Sequence, residues 1–163
     1  MSLMNREYLR SVMFGIENSL ISTVGLIAGM SIGTDQVRVV ILGATVAIVI
    51  ESVAMGVGEY LSDDAVQELD KIKRHPDSPL LSGIMMTATG TLAGLVPLAP
   101  VIFLKYPYSL ATSIVAALLI LFLIGYVKGK VLKTTPIRGG IKIMIIGGLA
   151  TGLGVLVGTL FKL

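Results

Sequence analysis

The sequence predicts an all-α polytopic membrane protein of five transmembrane helices, and three observations predict it. Only 14% of the 163 residues are charged while 54% are hydrophobic, against about 25% charged in a soluble domain. Five apolar stretches of about 20 residues or more follow one another, each long enough at about 1.5 Å per residue to cross about 30 Å of hydrocarbon. Lys and Arg gather at alternate connections between them. The chain has no cysteine and one histidine, which excludes disulfides, thiolate metal sites, a Cys nucleophile and a multi-His cage. With those groups go most enzyme chemistries, and the reading is of a protein that is not an enzyme and needs no cofactor. A net charge of +3 and short polar stretches likewise exclude nucleic acid as a partner.

The first stretch, about 12–33, follows Arg6 and Arg10 as a signal peptide would, but it is too long for an h-region and contains Glu17 and Asn18, so it reads as a retained helix. The second, about 37–61, follows after a short turn centred near Asp35 and is antiparallel to the first. The third, about 80–104, carries Pro97 and Pro100, which should kink its outer end. The fourth covers about 108–127 and the fifth about 139–161. Only the linker 62–79 has room for structure of its own. There Ser62 can cap a short polar helix through Lys73, ended by His75-Pro76, because proline excludes the helical conformation at the residue before it.

Ten of the thirteen basic residues lie in the amino-terminal tail (Arg6, Arg10), the linker (Lys71, Lys73, Arg74) and around the fourth connection (Lys128, Lys130, Lys133, Arg138, Lys142). Arg38, Lys105 and Lys162 lie on the other side. Positive-inside bias then puts the amino terminus and the 62–79 linker in the cytoplasm. The compact chain, with no evident presequence or added soluble domain, favours a prokaryotic plasma membrane. Glycines recur every four residues, as Gly25, Gly29 and Gly33, Gly90 and Gly94, Gly148 and Gly152, and Gly154 and Gly158. Such faces let helix backbones approach closely in lipid.

Seven of the ten acids lie in tails or connections, and the other three, Glu17, Glu51 and Glu59, all lie in the first two helices. A carboxylate at membrane depth costs about 3 kcal/mol unless paired, protonated or wet, and marks function by default. Glu51, Met55 and Glu59 are spaced by four and share one helix face, drifting about 40° per step. Measured from Asp63, they lie about 18, 12 and 6 Å from the cytoplasmic end, a ladder leading inward. In an antiparallel pair turning near Asp35, residues at equal depth have numbers that sum to about 70. Glu17 then lies level with position 53 and Asn18 with Ser52, in one polar layer. Oxygen ligands at two depths with a thioether between them suit a divalent transition ion, the sulfur tilting the preference towards Fe(II). Burial raises a carboxyl pKa, so Glu17 and Glu51 are also the candidates for carrying protons.

The segments Phe14-Gly15-Ile16-Glu17-Asn18-Ser19-Leu20-Ile21-Ser22-Thr23-Val24-Gly25-Leu26 and Ala54-Met55-Gly56-Val57-Gly58-Glu59-Tyr60-Leu61-Ser62 resemble the first- and second-helix motifs of the vacuolar iron transporter family. Gly94-Leu95-Val96-Pro97-Leu98-Ala99-Pro100 and Leu121-Phe122-Leu123-Ile124-Gly125-Tyr126-Val127-Lys128-Gly129 are similar to its third and fourth helices. The resemblance implies a homodimer of five-helix subunits, with the pathway between the first two helices of each at the dimer interface. It also implies export of Fe(II), often Mn(II) too, from the cytoplasm in exchange for protons. The chain departs from the family in reading Glu17-Asn18-Ser19 where Asn-Asp-Gly is usual, so the metal-binding aspartate aligns with Asn18. The acid has moved one residue, about 100° around the helix. The linker is also short where metal-collecting relatives carry long glutamate-rich helices.

The expectation is therefore a secondary transporter. Glu59 receives the ion at the cytoplasmic mouth, Met55, Glu51, Glu17 and Asn18 hold it at depth, and Glu51 or Glu17 exchanges protons. Two alternatives stand beside it. One is a non-transporting membrane assembly protein whose acids are inter-helix contacts; the other is a transporter of a different cation without proton coupling.

Overall fold

The computed structural model describes residues 3–70 and 78–162. It consists of five α-helices, α1 (Leu3–Gly33), α2 (Val37–Asp70), α3 (Pro79–Phe103), α4 (Tyr108–Val131) and α5 (Pro136–Leu160). All five are long and apolar enough to cross a membrane, and the chain is a multi-pass membrane protein. Helix α1 is central and packs against the other four, whereas α2 touches only α3 and α1 among the described residues.

The helices overrun the apolar stretches. At about 1.5 Å per residue the 31 residues of α1 and the 34 of α2 exceed the hydrocarbon thickness by about 15–20 Å. Hydropathy marks where lipid ends, not where hydrogen bonding ends, and the flanking residues are themselves helix formers. At the start of α1, Glu7 and Arg10 pair across one turn at 3.5 Å. At the far end of α2, Ser62 lies inside the helix and does not begin a separate one. The Lys73 end and the His75-Pro76 stop lie outside the described residues. Helix α4 runs four residues past its expected end, and α5 begins on Pro136, a residue suited to a first helical turn because it lacks only an N–H that would find no partner there.

The turn between α1 and α2 is three residues long. Thr34 N–H donates to the Met30 carbonyl at 3.0 Å and Gln36 N–H to Thr34 Oγ1 at 3.2 Å. Two buried apolar clusters hold the bundle. Leu20 and Val24 of α1 meet Ala93, Ala117, Leu121 and Ile143. Nearer the turn, Ile27 meets Val40, Ala44, Ile48, Leu98 and Val101.

Pro97 and Pro100 sit inside a continuous α3. Neither can donate to the carbonyl four residues earlier. The buried Ser113 hydroxyl of α4 reaches the Pro97 carbonyl at 2.6 Å, tying the two helices together. Ser113→Ala should therefore lower stability by about 1 kcal/mol in equilibrium unfolding of the detergent-solubilised protein. An unchanged unfolding curve would remove this bond from the account.

Glycine sets the closest helix approaches. A Cβ on Gly154 or Gly158 would run into the carbonyl oxygens of Gly25 and Gly29, so α1 and α5 meet backbone to backbone. Gly56 with Gly83 and Gly125 with Gly139 do the same for α2–α3 and α4–α5. Gly148 and Gly152 meet no other helix of the same chain, since a Cβ there would have nothing within 4 Å among the described residues. A small-residue spacing makes a smooth face but does not say that a neighbour occupies it.

Candidate metal pathway

The hairpin of α1 and α2 sets the register of the polar residues. Asn18 Nδ2 donates to Glu51 Oε1 at 2.8 Å and lies 2.9 Å from Met55 Sδ. Ser22 Oγ donates to Glu51 Oε2 at 2.7 Å. Both carboxylate oxygens of Glu51 are thus held from one stripe of α1, with the thioether one turn below. Nearer the amino-terminal end of α1, Glu59 Oε1 accepts from Ser11 Oγ at 2.6 Å and from Arg10 at 3.0 Å. Asp63, another turn along the same face of α2, is 3.4 Å from the same guanidinium. Every one of these pairs has residue numbers summing to about 70, the register expected of a hairpin turning near Asp35.

Asn18, Glu51, Met55 and Glu59 therefore lie along one α1–α2 seam. Glu17 does not join them. Its carboxylate takes Lys128 Nζ of α4 at 3.1 and 3.4 Å, on the flank of α1 turned away from α2. Successive helix residues are rotated by about 100°, so Asn18 and Glu17 cannot both face α2. Ser52 is level with Asn18 but points elsewhere. It is buried towards α3, its hydroxyl near Gly90, with no hydrogen-bond partner among the described residues.

Four functional candidates lay outside the sequence reading. Ser22 and Ser11 stand four after and seven before Asn18, spacings that return to the same face, so extending the ladder argument from α2 to α1 would have found them. Arg10 and Lys128 carry no such signal, because a long cation reaches its partner across a helix packing that spacing does not encode.

Beyond Ser22 an open, largely apolar cleft of about 740 Å³ runs between α1 and α5 towards the α1–α2 turn. Ser22, Gly25, Gly29 and Gly33 of α1 form its floor, Gly154 and Gly158 of α5 flank it, and Thr34 and Gln36 stand at its far end. The polar layer at depth thus has an acidic mouth on one side, and on the other Ser22 borders the open cleft. Among the described residues no three Asp, Glu or His side chains are placed to hold a metal ion together. Any cation held here within one chain would take its ligands from a carboxylate, an amide, a hydroxyl and a thioether together.

The VIT family model matches residues 9–75 and 64–159. The chain is 26% identical over 154 residues to vacuolar iron transporter homolog 4 of Arabidopsis thaliana, spanning 87% of this chain and 77% of that protein. Vacuolar iron transporter homolog 1 of the same plant is 26% identical over 170 residues, 94% of this chain and 84% of that one. Vacuolar iron transporter 1 of Tulipa gesneriana is 35% identical over 85 residues, 52% of this chain and 34% of its own length.

Proposed function

Because this chain belongs to the VIT family, we propose that it is a secondary transporter that moves a divalent transition metal, Fe(II) first and Mn(II) second, out of the cytoplasm in exchange for protons. The observation that carries the reading is Glu51, held at membrane depth by Asn18 and Ser22 and stacked over Met55. A lone carboxylate there would be costly. This one is preorganised by two neutral donors that a cation can replace. A half-turn of the Asn18 amide exchanges its NH₂ for its carbonyl oxygen. The same cluster then offers an ion carboxylate, amide and hydroxyl oxygens with one soft sulfur.

In this reading Glu59, with Asp63 beside it, receives the ion at the cytoplasmic mouth, and Met55, Glu51 and Asn18 hold it at depth. The cleft above Ser22 leads it outward. Glu51 takes the returning proton when the ion has left. Glu17, fixed by Lys128, balances charge on the other flank of α1 and shares in proton exchange without touching the metal. Two copies paired along their first two helices would bring two such seams together and supply the ligands that one chain lacks. The amino terminus is cytoplasmic and the membrane is a prokaryotic plasma membrane, where export serves detoxification.

The test is anaerobic Fe(II) flux into proteoliposomes carrying an internal pH dye. Metal entry accompanied by proton exit, both lost in the Glu17→Gln, Glu51→Gln double variant, is the expected result. Metal entry with no pH change would replace exchange by uniport, with the non-titrating Asn18 as its cause. The full satisfaction of both Glu51 oxygens also favours a second reading, a membrane assembly protein whose acids join helices. Absence of flux for Fe(II), Mn(II), Co(II), Zn(II) and Mg(II) from a folded protein would select it.

A further inference from the structure

Beside the seam, the flank of α1 that carries Glu17 forms a second cleft, of about 580 Å³, against the end of α4. Met13 and Phe14 line it from α1 and Val131 and Leu132 from α4 and its cap. Its polar rim holds Arg10, Glu17, Lys128 and Lys133. Arg10 is drawn to Glu7, Glu59 and Asp63, and Lys128 neutralises Glu17. Lys133 makes no ion pair among the described residues.

The backbone at Lys133 is unusual in its own right. Helix α4 closes with Thr134 N–H on the Gly129 carbonyl at 2.9 Å and Lys133 N–H on the Lys130 carbonyl at 3.3 Å. That closure needs a left-handed residue, and Lys133 supplies it with φ 54°. Glycine fills such a position without steric cost, and asparagine is the usual substitute. The chain has 19 glycines, yet among the described residues the single left-handed position is given to a lysine. A side chain kept where the backbone would favour its absence points to a use for that side chain.

We propose that this cleft binds an anionic phospholipid. The headgroup phosphate lies on Lys133 and on the N–H groups of Lys128 that Glu17 leaves free, and an acyl chain runs along Met13, Phe14, Val131 and Leu132. Basic clefts between transmembrane helices at the interface suit such headgroups. The apolar wall continuous with the basic rim selects a lipid over a free anion. The cleft shares Arg10 with the mouth of the α1–α2 seam, but its proposed phosphate ligands, Lys128 and Lys133, belong to α4 and its end, and the site stands whether or not metal is transported.

The test uses the full chain in detergent, following its thermal unfolding midpoint as phosphatidylglycerol, or phosphatidylcholine with the same acyl chains, is added. Phosphatidylglycerol should raise the midpoint of the parent. Lys133→Gly should need about fivefold more of it for half the effect, and Lys133→Asn should match it, since both keep the left-handed turn without the charge. Lys133→Arg should retain the parental titration. Because glycine suits this backbone, the lipid-free midpoint of Lys133→Gly should not fall, which separates lost binding from lost folding. Equal phosphatidylglycerol titrations for parent and Lys133→Gly would overturn the proposal. So would stabilisation of the parent by phosphatidylcholine, or by inorganic phosphate, to the same extent.

Discussion

Glu51→Gln is expected to reduce Fe(II) uptake into proteoliposomes by about 100-fold while leaving the protein folded. Metal sites lose about 10–100-fold when even a supporting partner is removed, and here the charged ligand itself would go. The fold should survive because glutamine is nearly the same size and can still accept from Ser22 or Asn18, the two groups that now hold the carboxylate. The helix packing around Glu51 does not depend on its charge. Flux and the unfolding midpoint should therefore separate, activity falling to background while the midpoint moves by a few degrees at most. Parental uptake in this variant would remove Glu51 from the pathway and return the buried acids to a structural role. Glu59→Gln should weaken uptake less, because Asp63 lies one turn away on the same face and shares Arg10 with it.

The second large effect is on stability. Gly154→Val should destabilise the bundle by about 3 kcal/mol, the upper end of what overpacking costs, because its side chain would meet the Gly25 carbonyl and backbone cannot rotate aside. Gly152→Ala, two residues earlier, should be neutral or slightly stabilising. It has nothing within 4 Å, and alanine is the better helix former by about 1 kcal/mol in water. Equilibrium unfolding of the two variants beside the parent reads the difference directly. Equal midpoints for all three would mean that α1 and α5 are not in backbone contact.

The contrast between these two glycines shows what was legible in the sequence. Spacing along one helix fixes which residues share a face. It placed Glu51, Met55 and Glu59 in line, and with a tight turn near Asp35 it also fixed which residues of α1 stand opposite them. Asn18 meeting Glu51 and Ser11 meeting Glu59 follow from that arithmetic. Spacing does not say what stands opposite a face when the neighbour comes from a distant part of the chain. Glu17 was therefore expected beside Glu51, when α4 lies on its side and offers Lys128. Gly148 and Gly152 have the same pattern as Gly25 and Gly29 but no helix of the same chain against them among the described residues. The ends of α1 and α2 were missed for another reason, since hydropathy measures the bilayer and these helices continue past it.

The contact of Gly25 and Gly29 with Gly154 and Gly158 joins α1 to α5, the two described helices furthest apart along the chain. A chain is made from its amino terminus, and its early segments wait for partners that come later. Helix α1 can settle against α2, α3 and α4 as each emerges, but its glycine flank stays bare until α5 enters the membrane. A nascent chain stalled before Pro136 thus shows lipid a groove of bare helix backbone and lacks the α5 wall of the cleft beyond Ser22.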